Sequence, residues 1–206
     1  MRTSGIRARR APKIQVSRPK YRTSPAICQD LINRDFRASG LGQIWLIDIT
    51  RIRLTNAECF LCAIMDLYSR RIVASSVCDQ LSIRLPIESL RNAIEKSSID
   101  DGLIVHSDRG PFFASNLYRQ TLNSVGAQQS MGQTGCYDNA PMESFFRTLK
   151  AECCAWSSGC SIDQFKRAIN GYINGFYNLR RRHSSLGFVS PSEFERRRTI
   201  PKASSP

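Results

Sequence analysis

The chain has 206 residues, 41% of them apolar and 23% charged, with eight cysteines and a net charge of +13, enough apolar content for one substantial core with extensions. No stretch approaches the roughly 18 apolar residues of a membrane span, and the Arg-rich N-terminus lacks an apolar h-region; this argues against a span or a secretory signal and for a cytoplasmic protein. The charge is uneven: residues 1 to 40 hold ten Lys/Arg against two Asp, residues 179 to 206 hold seven against two Glu, and residues 41 to 178 balance at thirteen of each.

The sequence thus divides into a basic arm (1–40), a neutral body (41–178) and a basic C-terminal tail (179–206). The arm contains Arg7-Ala8-Arg9-Arg10 and Arg18-Pro19-Lys20-Tyr21-Arg22, with prolines at 12, 19 and 25 that break any helix. Such a segment in a cytosolic protein serves a polyanion, and nucleic acid is the expected partner. Gln43 to Thr50 is an apolar, β-branched strand with Asp48 at its centre. Asp is among the poorest strand residues, so Asp48 reads either as a satisfied polar residue or as a metal or proton ligand.

Phe60–Met65 and Arg71–Val77 are two further strands, joined by the turn Asp66 to Arg70, and the three make an antiparallel meander. Apolar residues at 83, 87, 90 and 94 predict an amphipathic helix over 83–96. Leu103–His106 is a short strand that ends at Ser107-Asp108-Arg109-Gly110. A strand reached through a helix is usually parallel to an earlier one, with sites in the loop at its C-terminal end, which is where Asp108 lies. Ser115 to Val125 reads as a helix with Leu117, Leu122 and Val125 inward, Gln128–Met131 as a strand, and Ser161 to Tyr177 as a helix whose Phe165, Ile169, Tyr172, Ile173 and Phe176 face a core. Cys59 and Cys62, in a strand, point to opposite faces; the cysteines read as reduced thiols in the core, with no zinc site expected.

Between these elements, Cys136-Tyr137-Asp138-Asn139-Ala140-Pro141-Met142-Glu143 starts a helix. Asp138 or Asn139 can cap its first turn, and Pro141 is tolerated there. Glu143, Arg147 and Lys150 share one face by their spacing, a carboxylate with two cations behind it. Alone this is an ordinary surface helix. If the strands of Asp48 and Asp108 are parallel neighbours, however, their aspartates converge and the Glu143 helix can lie across them. Clustered carboxylates repel unless a cation intervenes, and hard oxygen ligands select Mg²⁺ or Mn²⁺. Two such ions would serve phosphodiester chemistry, with Arg147 and Lys150 over the DNA phosphates. His106 reads as a packed or loop-bonding residue that, with Asn139, stands behind the ligands; His183, in the basic loop Arg180-Arg181-Arg182-His183, reads as a DNA contact.

Several ordered motifs together resemble the integrase-type catalytic core of insertion-sequence transposases, specifically the second-frame product of the IS-three family. They are Trp45-Leu46-Ile47-Asp48-Ile49-Thr50, Met65-Asp66-Leu67-Tyr68-Ser69-Arg70-Arg71-Ile72-Val73, His106-Ser107-Asp108-Arg109-Gly110, Cys136-Tyr137-Asp138-Asn139-Ala140 with Met142-Glu143-Ser144-Phe145-Phe146, and Arg181-Arg182-His183-Ser184-Ser185-Leu186-Gly187. The resemblance covers roughly Gly5 to Phe194. It implies an α/β, ribonuclease H-like fold with a mixed five-stranded sheet, and an Asp-Asp-Glu metal triad at Asp48, Asp108 and Glu143. It also implies cleavage of transposon ends and strand transfer into target DNA, as a homo-oligomer on DNA near the bacterial nucleoid, with an upstream-frame helix-turn-helix product as a further partner. The 34 residues between Asp108 and Glu143 are one fewer than the family usually has, a deletion in the Gly132 to Gly135 loop. The chain looks like the catalytic half or an N-terminally truncated copy. A DNA-binding remnant without activity and a ribonuclease H-like nuclease are the alternatives.

Overall fold

The computed structural model describes residues 28–55, 57–97, 99, 101–133, 138–153 and 159–199. Three strands come first, β1 (Ile44–Arg53), β2 (Glu58–Asp66) and β3 (Ile72–Cys78), followed by helix α1 (Arg84–Lys96) and strand β4 (Ile104–Ser107). Helix α2 (Asn116–Asn123) leads to β5 (Gln128–Met131), and α3 (Ala140–Glu152) and α4 (Ile162–Gly171) follow. The sheet runs β3-β2-β1-β4-β5. Its first three strands are antiparallel neighbours, while β1, β4 and β5 are parallel ones, as the helical crossovers require. This is the mixed five-stranded sheet that the sequence predicts.

Period-2 alternation gives the sheet two covered faces. Trp45, Ile47, Cys62, Ile64 and Val105 pack with Leu90, Tyr118 and Leu122 of α1 and α2. Leu46, Ile52, Leu61, Ala63 and Met65 pack with Met142, Phe145, Phe146 and Leu149 of α3 and with Phe165, Ile169 and Ile173. Cys59 belongs to the second core and Cys62 to the first, on opposite faces of β2.

The hairpin between β2 and β3 turns on Asp66. Its buried carboxylate accepts from the N–H of Gly42 at 2.8 Å and from the N–H and Oγ–H of Ser69 at 2.8 and 3.0 Å, so the Met65-Asp66 motif is a turn clamp. Burial raises the Asp66 pKa and these donors oppose the rise.

Two packing expectations need correction. In α2, Tyr118 is fully buried and Leu117 is 49% exposed, because Ser115 caps the helix through the Tyr118 N–H and so sets which face meets the sheet. The final helix is capped by a box between Ser161 and Gln164, but after Gly171 it widens into a π-helical turn over Tyr172–Tyr177. The wider turn carries Tyr177 into the core and leaves Phe176 42% exposed. Beyond it, residues 184–186 form a 3₁₀ turn, and Pro191–Thr199 form helix α5.

Helix α5 starts as a capping sequence should, with the Glu193 N–H donating to Ser190 Oγ, Pro191 in the first turn, and Arg196, Arg197 and Arg198 in the last. It packs back on the body. Phe194 meets Tyr68 edge-on at 5.2 Å, and Glu195 pairs with Arg71 at 2.8 Å. Asn178, which no motif singled out, pairs through both side-chain amide atoms with the backbone of Ile72, standing in for a strand at the β3 edge. Residues 28–32 likewise run beside β5, where the Leu31 N–H donates to Ser130 Oγ and the Met131 N–H to the Gln29 carbonyl.

Candidate active site

Register decides what the sheet can bring together. Leu46 is the last β1 residue paired with β4, opposite His106, and Asp48 and Asp108 each lie two residues beyond that pair in their own segments. Asp48 shares the parity of Leu46 and Ile52, whose face α3 covers. Both aspartates are half-buried, Asp48 inside β1 and Asp108 in the loop after β4. Each takes one backbone donor: the Ile49 N–H reaches Asp48 Oδ1 at 2.7 Å, and the Gly110 N–H reaches Asp108 Oδ1 at 2.9 Å.

Helix α3 is clipped to this end of the sheet at two points. Asn139, immediately before the helix, does not cap it with its side chain, which corrects the sequence expectation. Its Nδ2 instead donates to the Ile47 carbonyl at 3.0 Å, one residue past the last β1–β4 pair and adjacent to Asp48. A cap serves the helix alone, whereas this bond ties the helix start to the strand. His106 makes the second clip. Its Nε2 donates to the Asp138 carbonyl at 2.9 Å, and its Nδ1 lies 2.8 Å from Ser130 Oγ. Burial lowers the His106 pKa below its ordinary value, and the Asp138 carbonyl with the carboxylates of Asp30, Asp138 and Asp108 opposes this. Arg34 meets the Asp138 carboxylate at 3.0 Å from outside. Glu143 then lies in the first turn of α3, one turn in from both clips.

Among the described residues, no three His, Cys, Asp or Glu side chains are gathered as a ready ligand set for a metal ion. The donors nonetheless suit a hard divalent cation. Asp48 lies two residues past the last β1–β4 pair, Asp108 in the loop after β4 and Glu143 in the first turn of α3, and near the helix start Asn139 Oδ1 is buried with no hydrogen-bond partner, an oxygen acceptor of the kind a hard cation takes.

The cations are arranged less uniformly. Arg147 is exposed and Lys150 half-buried on α3, on the helix face of Glu143. Arg180 and Arg182 are exposed. Arg181 is not simply a solvated charge: its Nε lies 3.3 Å from Glu152, the last residue of α3, and its guanidinium sits over the Tyr177 ring. Arg9 and Arg10 lie outside the described residues.

His183 packs edge-on against Tyr177 at 4.9 Å, and its Nε2 is buried without a partner. Burial, with Arg181 and Arg70 nearby, depresses its pKa to about 4. The folded value is below the unfolded one of 6.5, so the unfolded chain binds more protons between them, and stability falls as pH drops from 6.5 to about 4. His183→Gln should therefore lose less of its melting temperature than wild type across that window. Parallel losses measured by circular dichroism would show that His183 does not carry this acid sensitivity.

The chain matches two family models described as integrase core domain, one over residues 38–136 and one over residues 125–191. It is 38% identical over 168 residues to the transposase for insertion sequence element IS904 of Lactococcus lactis subsp. lactis (strain IL1403), covering 81% of this chain and 66% of that protein. It is 34% identical over 196 residues to transposase InsF for insertion sequence IS3A of Escherichia coli (strain K12), covering 95% of this chain and 68% of that one. The chain thus spans about two thirds of the length of these curated relatives. Among solved structures, the catalytic core domain of BIV integrase superposes with a TM-score of 0.56 at 17% identity over 77% of this chain and 97% of that one. The HTLV-2 integrase catalytic core domain in complex with magnesium gives 0.54 at 15%, over 77% and 99%. Those likenesses establish the fold, the ribonuclease H-like architecture of integrase cores, and the sequence identities establish the kinship: the chain belongs to the insertion-sequence transposases of the IS3 family, which carry the integrase catalytic core.

Proposed function

We propose that this chain is the catalytic unit of a transposase that cleaves the ends of its DNA element and transfers the freed 3′-hydroxyls into target DNA. The observation that supports the reading is the parallel β1–β4 pairing, which ends two residues before both Asp48 and Asp108, at the end of the sheet to which Asn139 fastens the start of α3 and its first-turn Glu143. Asp48, Asp108 and Glu143 would hold Mg²⁺ or Mn²⁺, two ions per site; when bound these supply activation of the attacking water or 3′-hydroxyl and stabilisation of the leaving 3′-oxygen. The chain's own part is to hold the carboxylates in place through the Asn139 and His106 clips and to position the phosphodiester. Arg147 and Lys150 would track the DNA backbone along α3, and Arg180, Arg181 and Arg182 would continue that path, with His183 beside them; the arm with Arg9 and Arg10 would add further phosphate contacts. Reading of end sequence is assigned to an upstream-frame helix-turn-helix partner, and the working form to a homo-oligomer on DNA. Among the described residues no helix is long and apolar enough to cross a membrane, and the bacterial nucleoid is the proposed place of action.

The test is an assay on labelled end duplex, with Mg²⁺ or Mn²⁺ and with chelator. The expected result is nicking at the element end and covalent joining to a second duplex, both abolished by chelator. Retention of DNA with neither reaction would identify a binding remnant, and nicking without joining a nuclease.

A further inference from the structure

The most exposed large apolar side chain among the described residues is Phe188, at 70%. Its backbone is in the left-handed region, with φ of 62°, directly after Gly187 with φ of 73°. A bulky aromatic residue pays strain there, and such strain persists only where the surrounding structure enforces it. Here three main-chain bonds do: Phe188 N–H to the His183 carbonyl at 2.8 Å, His183 N–H to the Val189 carbonyl at 3.0 Å, and Gly187 N–H to the Ser184 carbonyl at 3.1 Å. Leu186, two residues earlier, is buried and anchors the loop. The loop therefore pushes a ring into solvent from a rigid base, at a conformational cost that the fold itself does not need.

The stretch of chain that leads into this loop is positive. Arg180 and Arg182 are exposed on the same short loop, and Arg181 ties that loop to Glu152 at the end of α3. Glu143 stands nine residues before Glu152 on the same helix, about 14 Å at the ordinary rise, or about four nucleotide steps along a DNA strand. An exposed ring on a loop that also presents exposed arginines matches the combination by which proteins hold unstacked bases: cations for the backbone and an aromatic plane for the base. An acidic or apolar protein partner would satisfy only one half of it.

We propose that Phe188 is a stacking platform for an unpaired base, engaging DNA whose strands have separated a few nucleotides from the cleavage point. The inference rests on the DNA-processing reading above and adds to it a residue and a DNA form. Two probes test it with the full chain: a short duplex bearing a single-stranded tail with 2-aminopurine, and the same duplex blunt-ended. Wild type should prefer the tailed duplex and quench the probe. Phe188→Ala should lose about fivefold or more of its affinity for the tailed duplex, with quenching, and keep its affinity for the blunt one; Phe188→Trp should restore both. Phe188→Gly should bind like the alanine variant and melt no lower than wild type, since glycine relieves the left-handed strain. Equal affinity of wild type and Phe188→Ala for the tailed duplex overturns the proposal, as does a change in sedimentation with DNA binding intact, which would make the ring a contact between copies. Wild type that binds neither duplex would overturn the DNA reading itself.

Discussion

Asp48→Asn, Asp108→Asn and Glu143→Gln are each expected to lower metal-dependent strand cleavage by about 10³-fold or more while leaving DNA retention within about twofold. The amide is chosen because it separates charge from architecture. Asp48 Oδ1 accepts from the Ile49 N–H and Asp108 Oδ1 from the Gly110 N–H, and an asparagine oxygen can accept both bonds. The strand and the loop keep their shape, and what disappears is the negative charge that would hold a cation. Phosphate binding lies with the arginines and lysines, so filter retention of duplex DNA should not follow the loss of cleavage. Wild-type nicking by any one of the three variants would remove that residue from the proposed triad.

Gly132→Ala should be the most damaging change outside the carboxylates. A Cβ on Gly132 would lie 2.6 Å from Asp138 Oδ2 and 2.7 Å from Asp138 Cγ, closer than side-chain carbons tolerate. Asp138 cannot easily retreat. Its carboxylate is held by Arg34, its carbonyl by His106, and its neighbour Asn139 by the Ile47 carbonyl. Gly132 is itself fixed, its N–H to the Ser107 carbonyl and its carbonyl to Arg109 Nε. Any yielding therefore displaces the start of α3 and, with it, Glu143. The expected cost is about 1–3 kcal/mol of stability, and roughly 10²-fold in cleavage rate if the shift approaches 1 Å. Gly126→Ala is the control: its φ is 68° and nothing lies within 4 Å, so it should cost about 1 kcal/mol of strain with cleavage unchanged. Thermal melts and single-turnover cleavage on both variants separate strain from displacement. An unimpaired cleavage rate in Gly132→Ala would show that the clips do not set the position of Glu143.

The sheet was legible because its signals are local. Apolar runs mark β1 to β3, a helical spacing marks α1, and the helices read as starting at Ser115 and Ser161 are indeed capped there. The parallel placement of β4 beside β1 followed from the crossover rule and a single helix between them. What escaped was decided by tertiary structure. Asn139 has the sequence position of a cap, yet its amide goes to a strand carbonyl 92 residues away. The π-helical turn that exchanges Phe176 for Tyr177 has no signature in the apolar spacing, since both residues are aromatic and either could face inward. Helix α5 is polar nearly throughout and shows no apolar stripe; the Ser190-Pro191-Ser192-Glu193 start was its one readable signal. The depressed pKa of His183 was not legible either, because it arises from burial and from Arg181 and Arg70, and sequence exposes neither burial nor the approach of Arg70.

Diffraction from crystals of the chain grown with Mn²⁺ and measured at the manganese edge tests the central claim most directly. Anomalous peaks should lie among the carboxylate oxygens of Asp48, Asp108 and Glu143, at about 2.1 Å from their ligands, with α3 still clipped to the Ile47 carbonyl through Asn139. Manganese bound only elsewhere on the chain, with those three carboxylates remaining apart, would contradict the assignment of this sheet end as the catalytic centre.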